Sequence, residues 1–206
     1  MKPYTLNVRL ILGIVCAHFL IYLSFHFTSV FWYLYTAAIL FCICYAVGIG
    51  KLTTAHNQTT FKNILLGVLS GIGIFGLFYV GTLLIDFFHF KALTKDITQL
   101  YKTYSPELLF HYIVLFIFII PGEEIFWRGY VQTKIDKMFK ATVAVPLAVL
   151  MYALPLVYSG NNALILAGVV AGLAWSLLYQ WKKSLSLVIA SHLAFDLLLL
   201  IIFPLI

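Results

Sequence analysis

Apolar residues run along this chain in long blocks, and clusters of polar residues separate the blocks at intervals close to one bilayer crossing. A hydrocarbon core of about 30 Å takes about 20 helical residues to span. By that measure the pattern predicts seven membrane helices, near 8–27, 30–50, 63–85, 107–127, 142–158, 162–180 and 185–205. The expected fold is all-α: a multi-pass helical bundle that makes residues 1–206 a single integral membrane domain. Lys91, Lys95 and Lys102 mark 91–106 as a polar connection. Lys2 and Arg9 precede the first block as in a signal peptide, but the run from Val8 to Phe27 is long enough to span and further spans follow, so it reads as an uncleaved first helix.

Composition sharpens this picture. With 63% hydrophobic and 10% charged residues, the chain needs a bilayer as its solvent. The net charge of +6 reflects the loops and contact with anionic lipid. No soluble domain exists to carry a basic surface, so no nucleic-acid partner is expected. A cytoplasmic N-terminus would place ten Lys and Arg residues inside, Lys2, Lys51 and Arg128 among them, and leave Lys91, Lys95 and Lys102 outside. That asymmetry favours N-in, C-out.

Most other polar positions have plain explanations. Cys16, Cys42 and Cys44 lie in the first two blocks without a CxxC pair and read as small packing residues. His18, His26, His89 and His111 are isolated among aromatics and read as interfacial or hydrogen-bonded, and His56 falls in a polar loop. Gly67 and Gly71 have the small-xxx-small spacing that lets membrane helices approach closely.

Residues 120–129 are different. They read Ile-Pro-Gly-Glu-Glu-Ile-Phe-Trp-Arg-Gly, with two carboxylates and an arginine at the end of an apolar run. An ionisable side chain at membrane depth costs at least about 2.5–3.5 kcal/mol, so these groups need partners or a task. At about 100° per residue, Glu124 and Arg128 share a helix face, while Glu123 points elsewhere and is the carboxylate left free for chemistry. Pro121-Gly122 is expected to interrupt the fourth helix just before them, beside protein or a water-filled cavity. A second polar group, Ser191-His192-x-x-x-Asp196, lies in the last block with His192 and Asp196 on one face. By itself this is either a self-satisfied pair that joins helices or half of a site. Membrane helices turn ionisable groups toward a shared interior, which points to one site built from both clusters.

Glu-Glu-x-x-x-Arg-Gly-Tyr at 123–130 and His-x-x-x-Asp at 192–196 resemble the first and last motifs of the CPBP family of CAAX proteases and bacteriocin-processing (Abi-type) enzymes, which includes the type II CAAX prenyl endopeptidases. The resemblance covers a core near 107–200. It implies an intramembrane endopeptidase in which the first glutamate activates water together with a histidine from the next helix, while the last helix stabilises the oxyanion. Carried over, Glu123 is the general base, Glu124 and Arg128 are its supporting pair, and His192 and Asp196 face the oxyanion. The middle motif, an aromatic followed four residues later by histidine, falls on Tyr152 and Leu156, so a leucine stands where the histidine belongs. Loss of an acid/base partner typically lowers a rate by about 10²–10⁴-fold. Asp196 stands where the family commonly has asparagine. An ionised aspartate there repels an oxyanion unless it is protonated or paired with His192.

Two functions follow: an endopeptidase acting on a membrane-presented peptide or lipidated peptide, or a catalytically silent member that binds a membrane protein as an immunity or scaffold factor. A transporter would use similar buried groups but lacks the internal repeat many carriers show. One histidine and scattered carboxylates match a three-ligand zinc site poorly, so neither metal nor cofactor is expected. The expected location is a bacterial plasma membrane.

Overall fold

The computed structural model describes residues 8–49 and 61–205, so Lys2, Lys51 and His56 lie outside the described residues. The fold is an all-α, multi-pass membrane bundle. Its spanning helices are α1 (Val8–His26), α2 (Thr28–Gly48), α3 (Phe61–Phe87), α5 (Leu109–Asp136), α6 (Ala141–Ser159), α7 (Asn162–Lys182) and α8 (Leu185–Ile202). Between α3 and α5 the chain forms a further helix, α4 (Lys91–Tyr104).

Helix α4 replaces the expected connection at 91–106. Leu93, Ile97, Leu100, Tyr101 and Tyr104 recur at helical spacing, while Lys91, Lys95 and Lys102 take the other side. The lysines had marked the stretch as polar, and its 3.6-residue period decides its structure. Hydrogen bonds fasten it at two points. Tyr101 donates its hydroxyl to the Leu199 carbonyl at 3.0 Å. Asp96 accepts from the backbone and side chain of Asn162 at 3.2 and 2.9 Å, where a carboxylate suits the unpaired N–H groups that open α7.

Helix α5 also departs from expectation. It runs unbroken through Pro121-Gly122, which places Glu123 and Glu124 near the middle of a 28-residue helix and not at its end. Proline lacks an N–H, and the widened turn at Leu115–Ile119 just before it lets Ile120 donate to the Leu115 carbonyl, so the helix continues. A β-carbon on Gly122 would collide with Ile39 and Ile43, so this glycine lets α2 close against α5. The helix then runs on to Asp136 with polar residues turned into the bundle; Gln132 donates to the Ser176 carbonyl at 2.9 Å. Arg128 is only 1% exposed, so it leaves the count of loop charges that bears on orientation.

The Gly67/Gly71 spacing marks a close crossing. Added β-carbons there would strike the backbone of Leu187 and Ser191, so α3 and α8 pack at backbone distance and carry Ser191 and His192 into the interior. Cys42 is buried, Cys16 half-buried and Cys44 exposed, all as free thiols. His18 sits 3.3 Å from the Tyr158 hydroxyl, and His111 stacks on Trp32.

Candidate active site

Wide helical turns over Glu124–Gln132 aim consecutive polar side chains into the bundle. Glu124 and Arg128 are both fully buried and pair through Arg128 Nη1 and Glu124 Oε1 at 3.2 Å. The guanidinium is enclosed on its other sides: Nη2 donates to the Gly172 carbonyl at 3.4 Å, and its carbon lies 4.2 Å from the centre of the Tyr152 ring and 5.5 Å from that of Trp175. A buried charge is tolerable when it is paired, hydrogen-bonded and faced by aromatic rings.

The second cluster meets the first here. His192 Nδ1 lies 2.8 Å from Glu124 Oε1, and its Nε2 lies 3.6 Å from Asp196 Oδ2. Glu124 already answers Arg128 and is acceptor-only when ionised, so Nδ1 is the donor in this contact. The Trp175 ring stacks on the imidazole at 3.7 Å between centres, and Trp175 donates its indole N–H to Ser191 at 3.3 Å. These contacts hold the ring with Nε2 toward Asp196.

Glu123 has other neighbours. Tyr35 donates to its Oε1 at 2.6 Å and Tyr152 to its Oε2 at 3.2 Å. Glu123, Tyr35, Tyr152, Leu156, Trp175, His192 and Asp196 all line one cavity of about 230 Å³. Glu124 and Arg128 do not line it. Leu156 sits in the tight last turn of α6, Leu154–Ser159, and packs over Gly168. It faces the same cavity as Glu123, with a side chain that neither donates nor accepts. A larger apolar cavity, about 590 Å³, lies against α3, α4 and α7 and shares Phe78, Leu100, Tyr104 and Leu164 with the first.

Sequence reasoning gave no part to Tyr35 or Trp175. Tyr35 belongs to the run Phe-Trp-Tyr-Leu-Tyr at 31–35, where its residue type gives no hint of a role. The available signal was weak: a phenol in an apolar membrane helix needs a partner for its O–H. Among the described residues, no group of three or more His, Cys, Asp and Glu side chains has the arrangement to hold a metal ion.

With this geometry established, comparison with known proteins adds one match. Residues 105–198 match the family model described as type II CAAX prenyl endopeptidase Rce1-like. This segment is CAAX-protease-like. It contains Glu123, Glu124, Arg128, Tyr152, Leu156, His192 and Asp196, whereas Tyr35 reaches the cavity from outside the CAAX-protease-like segment. Neither the curated proteins nor the solved structures yield a match to the chain. At family level, the match supports a CAAX-protease-like intramembrane endopeptidase that meets its peptide substrate at the bilayer.

Proposed function

We propose that this protein is an intramembrane endopeptidase with Glu123 as its general base. One observation carries the reading: of the two adjacent carboxylates, Glu123 lines a cavity that His192 also lines, while Glu124 lies off the cavity wall with its Oε1 held by Arg128 and His192. A water beside Glu123 gives up a proton to the carboxylate as its oxygen attacks the scissile carbonyl carbon, and the carbonyl electron pair moves onto oxygen. His192, protonated on both nitrogens, keeps Nδ1–H on Glu124 and offers Nε2–H to the oxyanion. Collapse of the tetrahedral intermediate breaks the C–N bond, and the proton on Glu123 passes to the leaving amine. Asp196 lies beside Nε2 and is paired with His192, which answers the repulsion an isolated aspartate would bring.

The adjoining apolar cavity suits the hydrophobic side chains of a membrane-presented peptide, or a lipid chain attached to it. The purified full chain in lipid should cleave such a peptide, and Glu123→Ala should abolish cleavage. Cleavage that survives this change contradicts the role of Glu123. A wild type that binds the peptide without cleaving it points to the silent binding, immunity or scaffold function.

Orientation belongs to the same proposal. Seven spans with a cytoplasmic N-terminus put a reporter fused after Ile206 outside and reporters near Lys137 and Lys183 inside. A cytoplasmic reading after Ile206 contradicts it.

A further inference from the structure

General-base catalysis needs the carboxylate held in one orientation, because the proton it takes must lie within hydrogen-bond reach. The helix after α5 offers Leu156 at the position where a histidine would share this task, and leucine has no hydrogen-bonding group. The holding contact comes from α2. Because Gly122 lets α2 close on α5 at the residue before Glu123, the Tyr35 hydroxyl reaches Oε1 at 2.6 Å, a short charge-assisted bond when Glu123 is ionised. The tyrosine is itself fixed. Its ring stacks on Phe31 with centres 5.2 Å apart and abuts Phe25 at 6.2 Å. Tyr152 makes a longer bond, 3.2 Å, to the other oxygen.

We propose that Tyr35 is the positioning residue of Glu123, doing from α2 what a histidine at position 156 would do from α6. This rests on the reading of Glu123 as the base. An ionised carboxylate has about four acceptor sites on two oxygens. One hydroxyl on each oxygen fixes the plane of the group and leaves an acceptor site on each for the reacting water. With both hydroxyls in place, a leucine at 156 is tolerable, and the second anchor of the carboxylate comes from a helix outside the CAAX-protease-like segment.

The test uses the purified full chain in lipid nanodiscs and an internally quenched peptide substrate. Tyr35→Phe keeps the buried ring and removes the hydroxyl, and thermal unfolding near that of wild type verifies the fold. Losing a hydrogen bond to a charged group predicts a fall in kcat of roughly 10- to 100-fold with KM held within about twofold. Adding Leu156→His to Tyr35→Phe should recover part of the lost kcat, a rescue that a packing role for Tyr35 would not permit. Infrared carboxylate bands, assigned to Glu123 by their disappearance in Glu123→Gln, should shift in Tyr35→Phe. Undiminished kcat, or a loss carried wholly by KM, overturns the proposal. If wild type cleaves nothing, the protease reading fails and the spectra decide separately: shifted bands support the hold of Tyr35 on Glu123, and unchanged bands refute it. Should Tyr35→Phe unfold, 3-fluorotyrosine at position 35 keeps the shape of the side chain and is read by the same bands, with the same two outcomes.

Discussion

Glu123 and Glu124 are adjacent in sequence, and α5 carries them into two different surroundings. Glu124 sits in a buried knot in which Arg128 and His192 both meet its Oε1 and two aromatic rings cover the guanidinium. Glu123, about 100° around the helix, sits in a cavity wall between two phenols. One residue of helical rotation separates a carboxylate that holds helices together from one that can meet a water. Identical chemical groups are thus given different surroundings by their packing, and the proposed division of tasks between them rests on that difference.

The sharpest way to break this contrast is to open the knot. Arg128→Ala leaves Glu124 buried without its cation, a change that costs about 3–5 kcal/mol and should appear as a large loss of thermal stability in detergent or lipid. Arg128→Lys should restore little of it, because a single ammonium cannot pair with Glu124, donate to Gly172 and lie flat on Tyr152 together. If Arg128→Ala unfolds like wild type, the knot is not structural and the contrast fails.

A milder change sharpens it. Gly71→Val inserts side-chain atoms against the backbone of Ser191, next to His192, and overpacking of this kind costs about 1–3 kcal/mol. Stability should fall by less than for Arg128→Ala. Cleavage should fall as well, because α8 would carry His192 away from Glu124. Stability lost with full activity retained would show that the α3–α8 crossing does not set the position of the imidazole.

Much of this was legible in the chain. The seven apolar blocks became seven helices long and apolar enough to span among the described residues, because a bilayer demands length and hydrophobicity before any detail of packing. The Glu124–Arg128 pair followed from four-residue spacing on one helix. Among the features that were not legible, three in the site have a clear physical reason. Pro121 suggested a broken helix, but a run of widened turns absorbs a missing N–H without a break, and sequence does not show that accommodation. Gly122, with Pro121, suggested part of an interruption and serves close packing, a property of α2 as much as of α5. Tyr35 lies 88 residues before Glu123 among many aromatics, and only the approach of the two helices singles it out.

The measurement that bears most directly on the account compares Glu123→Gln with Glu124→Gln in the same lipid, recording peptide cleavage and thermal unfolding for each. Glutamine keeps the size of the side chain and removes the charge. The account predicts that Glu123→Gln abolishes cleavage, by at least about 10²-fold, with unfolding close to that of wild type. Glu124→Gln should lower stability by several kcal/mol, since it leaves Arg128 buried without a counter-charge. The opposite pattern, with cleavage surviving Glu123→Gln and stability surviving Glu124→Gln, would contradict the division of labour between the two carboxylates.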